Sequence, residues 1–280
     1  MPGGPGHPAQ EPEFLIKQKE AVILKTNFHT HTFRCKHAAG TDEAYVKAAL
    51  EGGFDVLGFA DHVPWAFASD YVSHCRMPAS QWPDYKASVM ALKEKYAGQI
   101  QLRLGVESEY YPEYFDQLRR LQDDGCEYFI LANHFLFTEE RFPYTGLSCK
   151  DDDELLRYAE QTAIGIRTGM YCYVAHPDLY MMARPEFDRA SMEAADMICQ
   201  AAREAGMPIE YNLLGLKDEL RGHSRGYPHA DFWQYVRKWD NDVILGVDAH
   251  DPDELRDTGT WAIARERLAA LGCRVVTDWK

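Results

Sequence analysis

The sequence predicts a single α/β barrel of parallel strands, and two observations carry this prediction. Short β-rich runs alternate with longer helical patterns seven times between residue 21 and the end of the 280-residue chain. The predicted strands are apolar at most positions, as expected where both faces of a parallel sheet are covered. Because crossovers between parallel strands are right-handed, seven such βα units form one barrel with the helices outside.

Seven strands and seven helices follow one another along the chain. The strands are predicted at 22–32, 54–62, 100–110, 127–135, 171–178, 207–215 and 242–250. The helices are predicted at 41–53, 79–97, 113–125, 152–169, 188–205, 229–238 and 260–271. In the first helix, Thr41 suits the N-cap, and Gly52 with Gly53 is a stop signal. The last short run, 273–276, is either an eighth strand or a tail.

Composition and charge argue against several classes of protein. Hydrophobic residues make up 46% of the chain, enough for a large core, and the net charge of −14 argues against a nucleic-acid surface. The seven cysteines form no CxxC pair, which favours a reducing cytoplasm over a disulfide framework. The sequence has no run of about 18 apolar residues, so we expect no membrane span.

The first residues differ in composition from the rest. Residues 1–13 are rich in Pro and Gly and lack the basic and then apolar order of a signal peptide, so we expect a flexible tail. Residues 14–280 contain no segment with the composition of a linker. We therefore expect them to form one barrel domain.

Histidines collect at the ends of the predicted strands. Seven of the eleven lie at or just after a carboxyl end, and two acidic residues share these ends. The nine are His29, His31, His37, His62, Glu107, His134, His176, Asp248 and His250. A lone histidine at a strand end is more often structural, but active sites of α/β barrels lie at this face, and nine such residues would converge there. Imidazole and carboxylate together suit Zn, Fe or Mn, so the set predicts a metal site.

Six short motifs keep the order found in one known family. They are HTHT at 29–32, ADH at 60–62, GVE at 105–107, NHF at 133–135, AHPD at 175–178 and GVDAH at 246–250. The set resembles the PHP (polymerase and histidinol phosphatase) family, in particular its histidinol-phosphate phosphatase branch. The resemblance implies a distorted TIM-like (β/α)7 barrel of the PHP type with three divalent metal ions, which are Zn, Mn or Fe.

The same resemblance implies how the ligands are shared. The first metal would be held by His29, His31, Glu107 and Asp248, the second by His37, His62 and His250, and the third by Glu107, His134 and His176. Glu107 would bridge two metals. No ligand position is missing, which argues against a non-catalytic metal-binding module.

The expected activity is hydrolysis of a small phosphate monoester, with L-histidinol phosphate as the first substrate. We expect in-line attack by a metal-bridging hydroxide, with Glu107, Asp248 and His250 in the catalytic centre and Asp248 or His250 relaying the proton. The segment 213–229 is longer and more apolar than in this branch, so a broader range that includes nucleotide or sugar phosphates stays open. A metal-dependent amidohydrolase is a further alternative, although the extra histidines oppose it. The short chain and its net charge of −14 oppose a proofreading exonuclease.

Four residues are predicted to contact the substrate. Arg34, Arg184 and Arg225 could bind phosphate through two guanidinium nitrogens, and the alternative for each is a solvated surface arginine. Trp65 lies in the long loop 63–82, where it could stack on a planar substrate or pack within the loop itself. Arg76 of the same loop is a further candidate. Glu210 and Asn212 are candidates for orienting ligands or waters, and structural hydrogen bonding is the equal alternative. Glu109 points to the same side as Glu107, two residues earlier, but is not assigned as a ligand.

Overall fold

A sheet of eight parallel strands organises the computed structural model, which describes residues 24–279. The strands are β1 Thr26–Asn27, β2 Val56–His62, β3 Gln101–Ser108, β4 Tyr128–Leu131, β5 Tyr173–Val174, β6 Ile209–Asn212, β7 Asp242–Gly246 and β8 Arg274–Val275. Each strand pairs with the next one along the chain. The run at 273–276 is therefore an eighth strand. The predicted tail at 1–13 lies outside the described residues.

The sheet curls until its first and seventh strands meet. The backbone N–H of His31 donates to the Ala249 carbonyl at 2.9 Å, and the N–H of Ala249 donates to the His29 carbonyl at 3.2 Å. At the opposite end, the Thr26 hydroxyl donates to the Thr277 carbonyl at 2.7 Å, just after β8. The predicted distorted barrel is confirmed, with the segments that follow β1 and β7 joined at its carboxyl end.

Helices fill the connections between the strands. They are α1 Asp42–Glu51, α2 Trp82–Lys95, α3 Phe115–Asp123, α4 Thr145–Ser148, α5 Asp152–Arg167, α6 Arg189–Ala205, α7 Leu213–Leu220, α8 Ala230–Lys238, α9 Pro252–Arg256 and α10 Thr258–Leu271. All seven predicted helices are present, and α4, α7 and α9 were not predicted. The Thr41 side chain accepts a hydrogen bond from the Ala44 N–H, which confirms it as the N-cap of α1.

The sixth strand ends earlier than the sequence suggests. The prediction of strand through residue 215 is wrong, because the Asn212 side chain accepts a hydrogen bond from the Gly215 N–H at 3.0 Å and starts α7. The short apolar run that follows suits a buried helix as well as a strand. This turn places α7 over the carboxyl end of the barrel.

The interior of the barrel is filled around Tyr128. Its hydroxyl donates to the carbonyls of Phe28 at 2.8 Å and Phe59 at 3.0 Å. Gly105 faces its ring, and a Cβ at that position would lie 2.3 Å from a ring carbon. Trp279 packs on Phe28 with ring centroids 4.5 Å apart. This packing fills the amino-terminal half of the barrel with apolar side chains and leaves the polar residues at the carboxyl end.

None of the helices within residues 24–279 combines the length and the apolar character needed to cross a lipid bilayer.

Candidate metal centre

The Glu107 carboxylate lies at the middle of a buried cluster of imidazoles. Its Oε1 atom is 2.9 Å from His176 Nε2, 3.2 Å from His29 Nε2 and 3.4 Å from His134 Nε2. Its Oε2 atom is 2.9 Å from His62 Nδ1. These side chains come from the ends of five different segments of the barrel, as the sequence predicts for the carboxyl face.

Asp248 approaches the same cluster from the end of β7. Its Oδ1 atom lies 3.3 Å from His29 Nε2 and 3.2 Å from His31 Nε2, and these two nitrogens are 3.2 Å apart. The backbone of Asp248 has a φ of 53°, and His176 has a φ of 28°. Such conformations cost about 1–3 kcal/mol each in residues other than glycine and are concentrated at functional sites.

Four imidazole rings continue the cluster towards solvent. The ring centroid of His31 lies 4.1 Å from that of His250 and 4.4 Å from that of His62. The His37 ring lies 4.8 Å from His250 and 5.5 Å from His62. The structure therefore brings together all nine of the predicted ligands, with His37 and His250 nearest the surface.

Several atoms of the cluster have the surroundings of metal ligands. Among residues 24–279, His31 Nδ1, His62 Nδ1 and Glu107 Oε2 are buried without a hydrogen-bond partner. The close contacts between Nε2 atoms and carboxylate oxygens are mostly 3.2–3.4 Å. Two ligands bound tetrahedrally at about 2.1 Å lie roughly 3.4 Å apart. The donors and their spacing thus fit divalent cations between them.

Burial and neighbouring charges set the protonation states of the side chains in the cluster. Burial opposes the ionised form of Glu107, but the surrounding imidazoles hold its pKa well below its ordinary value. Burial and the charge of His31 lower the pKa of His62 and of His250 to about 3, so both rings are neutral near pH 7. Burial also opposes charging of His134, but adjacent carboxylates raise its pKa to about 9.

Glu210 and Asn212 hold the most deeply buried of the predicted ligands in place. Glu210 Oε2 lies 2.8 Å from His29 Nδ1, which fixes the ring with Nε2 towards the cluster. The Asn212 amide donates to Glu210 Oε1 at 2.9 Å and to Asp248 Oδ2 at 3.1 Å. Gly246 leaves the room that Glu210 occupies, because a Cβ there would lie 2.1 Å from Glu210 Oε2. Both residues thus contact side chains of predicted ligands, which matches one of the two roles that the sequence leaves open.

The two predicted ligands nearest the surface contact backbone carbonyls instead. His37 Nδ1 lies 2.8 Å from the Cys35 carbonyl, and His250 Nδ1 lies 2.9 Å from the Asp248 carbonyl. In each ring, a donating Nδ1–H leaves the lone pair on Nε2 free to bind a cation.

A cavity of about 450 Å³ opens onto the cluster. Beyond the predicted ligands, its walls are formed by Cys75, Phe135, Tyr144, Leu179, Leu214, Arg225, Tyr227 and Glu254. Sequence reasoning identified Arg225 but not the other seven as site residues. They come from the connections that follow the strands, including the unpredicted helices α7 and α9, and periodicity gives no signal of which of these side chains face the cavity.

Arg34 and Arg184 are engaged in ion pairs away from this cavity. The Arg34 guanidinium donates to Asp42 at 2.8 Å and to Asp84 at 2.8 Å. Arg184 donates to Asp152 at 2.7 Å and also pairs with Asp188. The structure therefore places these two predicted phosphate contacts elsewhere, because local carboxylates already bind their guanidinium groups.

Trp65 and Arg225 have different surroundings. Trp65 is 4% exposed, and its indole N–H donates to Glu109 Oε2 at 2.9 Å, so it packs within the protein rather than lining the cavity. Arg225 is exposed, pairs with Asp218 and lines the cavity. Of the four predicted substrate contacts, Arg225 alone is in position to reach a molecule bound there.

These features define a class of protein, namely an α/β barrel with a buried cluster of histidines and carboxylates at the carboxyl ends of its strands. The chain belongs to the PHP domain family, which matches residues 27–213. The matched segment contains the seven predicted ligands from His29 to His176, and Asp248 and His250 follow it.

Two relatives of this chain carry names that describe an activity. A protein named probable histidinol-phosphatase in Deinococcus radiodurans is 26% identical over 273 residues, covering 89% of this chain and 94% of that protein. The histidinol-phosphatase of Bacillus subtilis is 30% identical over 139 residues, covering 47% of this chain and 50% of that protein.

A solved structure shows the same fold. Histidinol phosphate phosphatase from Lactococcus lactis, in complex with zinc, L-histidinol and phosphate, superposes with a TM-score of 0.70 at 16% sequence identity. The superposition covers 92% of this chain and 97% of that chain. The barrel of the PHP type is therefore confirmed.

Proposed function

We propose that this protein is a metal-dependent phosphatase that hydrolyses L-histidinol phosphate to L-histidinol and phosphate. The observation that carries the proposal is the complete cluster of seven histidines and two carboxylates gathered at one site, most of them buried. The relative from Deinococcus radiodurans, aligned over 89% of this chain, is named for this activity, and the structure from Lactococcus lactis contains its two products.

The nine proposed ligands divide into three sets, of which the first and the third share Glu107. We assign the first set to His29, His31, Glu107 and Asp248, the second to His37, His62 and His250, and the third to Glu107, His134 and His176. The distances around Glu107 and Asp248 support this division. Zn, Mn and Fe all suit such donors, and the proposal is for three divalent ions in each chain.

Divalent ions held here would neutralise phosphate oxygens and lower the pKa of a bound water towards about 7. The protein residues supply the rest. Arg225 is positioned to donate to phosphate at the wall of the cavity. Asp248 and His250 line the cavity, where either can accept the proton that the attacking water gives up and relay it to the leaving alkoxide.

The walls of the cavity support a small planar substrate. Tyr144 lies parallel to the His134 ring with centroids 6.2 Å apart, and Tyr227 meets the His176 ring edge-on at 6.2 Å. These aromatic rings and Phe135 provide apolar surface on which an imidazole can pack. Leu214, Arg225 and Tyr227 come from the segment 213–229, so this segment forms part of the wall facing the substrate.

The test is a metal-reconstitution assay with a panel of phosphate esters. Protein stripped by a chelator is reloaded with Zn, Mn or Fe, and phosphate release is measured with L-histidinol phosphate, nucleoside monophosphates and sugar phosphates. We expect L-histidinol phosphate to have the highest kcat/KM, and His31→Ala to lose turnover together with bound metal. A higher kcat/KM for a nucleotide or sugar phosphate would favour a phosphoesterase of broader substrate range. No phosphate release from any ester would refute the phosphatase activity.

A further inference from the structure

A buried ion network lies next to the metal-binding cluster. Arg76, which is 1% exposed, donates to Glu109 Oε1 at 2.7 Å through Nη2 and to Glu139 Oε2 at 2.6 Å through Nε. Its Nη1 donates to the Val63 carbonyl at 3.1 Å and to Glu109 Oε2 at 3.3 Å. A buried group with this number of hydrogen bonds has a single orientation. The network therefore forms a rigid support between the loop 63–82 and the end of β3.

The network reaches one of the nine ligands through Glu109. Glu109 Oε1 also lies 3.2 Å from His134 Nδ1, and its Oε2 accepts from the Trp65 indole at 2.9 Å. Both carboxylate oxygens are thus occupied, and Nδ1 of His134 has a partner that can only accept. The Glu109 carboxylate therefore holds a proton on Nδ1 of His134, which leaves Nε2, 3.4 Å from Glu107 Oε1, as the nitrogen that would bind a cation.

We infer that Glu109 and Arg76 are positioning residues for His134: Glu109 fixes its tautomer and ring orientation, and Arg76 fixes Glu109. This inference rests on the proposed function, in which His134 binds a metal ion. It also explains why Arg76 is buried although it comes from a surface loop. The loop 63–82 is then part of the support of the metal centre rather than an independent lid.

The chain offers a matched control for the role of Glu109. Glu139 is buried and bound to Arg76 as Glu109 is, and its other oxygen accepts from Ser73 at 2.6 Å and Tyr71 at 3.1 Å. It makes no contact with the nine ligands within the described part of the chain. Glu139→Gln thus removes one charge beside Arg76 and leaves the contact between Glu109 and His134 unchanged.

The test compares Glu109→Gln, Glu109→Asp and Glu139→Gln by metal content and affinity. Each variant is purified, stripped and titrated with Co²⁺, whose visible absorption reports each ion bound, and the kcat and KM for L-histidinol phosphate are measured separately. We expect both Glu109 variants to bind one ion roughly 10- to 100-fold more weakly than the unmodified protein, with kcat reduced and KM little changed. Glu139→Gln should keep every ion within about threefold of the unmodified affinity. Arg76→Lys keeps the charge but not the paired donors, so its Co²⁺ affinity should lie between that of the Glu109 variants and that of Glu139→Gln.

The outcomes are distinguishable from those of the proposed function. Unchanged Co²⁺ affinity in Glu109→Gln and Glu109→Asp would overturn the positioning role, and so would an equal loss in Glu139→Gln, because that loss would come from the network as a whole. If Glu109→Gln does not fold, Glu109→Asp retains the charge and decides the question. Failure of the unmodified protein to hydrolyse any phosphate ester would refute the phosphatase activity. The Co²⁺ titration would still test whether Glu109 positions His134.

Discussion

His62 Nδ1 lies 2.9 Å from Glu107 Oε2, yet both atoms are without a hydrogen bond within residues 24–279. A buried donor and acceptor at this distance normally align, because an unsatisfied buried polar atom costs about 1–3 kcal/mol. Two ligands of one cation or of neighbouring cations need no such alignment, since each lone pair points at an ion. The arrangement makes Glu107 the residue that joins the proposed metal sites.

Glu107→Gln is the first prediction, and it should disable the centre as a whole. An amide retains one acceptor but loses the charge and the second oxygen that bridging requires. We expect less than the full metal content and a fall in kcat/KM larger than the 10- to 100-fold typical of residues outside the ligand set. Metal analysis of the purified variant and phosphate release provide the measurement. A variant with full metal content and unchanged turnover would contradict the bridging role.

Removal of metal should lower stability as well as activity. Ions that bind only the folded protein stabilise it by about 2.7 kcal/mol for each site at a concentration 100 times its Kd. For a domain of this size that corresponds to an increase of roughly 5–10 °C in Tm. Differential scanning calorimetry of the stripped and Zn-reloaded protein measures the difference. Equal melting temperatures would mean that the cluster does not bind the ion in the folded state. His31→Ala, which lacks one of the proposed ligands, serves as the control.

Arg225→Ala should weaken substrate binding without unfolding the protein. Arg225 is exposed and lines the cavity, and a hydrogen bond to a charged group contributes about 1.5–3 kcal/mol, so kcat/KM should fall roughly 10- to 150-fold. Arg184→Ala is the matched control, because Arg184 pairs with Asp152 and Asp188 instead. We expect it to reduce the free energy of unfolding with little change in KM. The reverse result in steady-state kinetics would restore Arg184 as the phosphate contact.

The predicted histidine ligands and the predicted phosphate-binding arginines show where sequence reasoning succeeds and where it fails. His29 and His31 are two residues apart. This spacing already indicates a common direction for their side chains, because alternate residues of an extended chain face the same side. Arg34 carries no such information. Its partner Asp84 lies 50 residues away, and only the packing of α2 against the first loop brings the two together.

The sequence also contains no sign of helix α7 or of the contact between Glu109 and His134, because both depend on hydrogen bonds that a local pattern does not indicate. An apolar run of four residues is compatible with either strand or helix, and the hydrogen bond from the Gly215 N–H to Asn212 decides between them. Arg76 and Glu109 are 33 residues apart, and no periodicity links them. Strand ends are predictable from local pattern, whereas side-chain partners across loops depend on the folded barrel.

Gly105→Ala should destabilise the barrel. A Cβ at this position would lie 2.3 Å from a Tyr128 ring carbon, and this ring is held by hydrogen bonds from its hydroxyl to two carbonyls. Overpacking of this kind costs about 1–3 kcal/mol or more. Gly259→Ala is the control, because its Cβ would meet only Asp257 Oδ1 at 3.4 Å. Urea unfolding should give a clearly lower free energy for Gly105→Ala and a difference within about 1 kcal/mol for Gly259→Ala; equal values would contradict the packing of Tyr128.

The thiol of Cys75 should react slowly at neutral pH although it lines the cavity. Burial, reinforced by the Glu139 carboxylate and opposed by Arg76, raises its pKa to about 11. A raised thiol pKa means that the unreactive protonated form dominates, so only about one molecule in a thousand carries the thiolate at pH 8. Iodoacetamide labelling of Cys75, followed by peptide mass spectrometry, should therefore accelerate about tenfold for each pH unit between 7 and 10. Inorganic phosphate bound in the cavity should slow the labelling, whereas a rate that levels off below pH 9 would show that the thiolate forms far more readily than its surroundings imply.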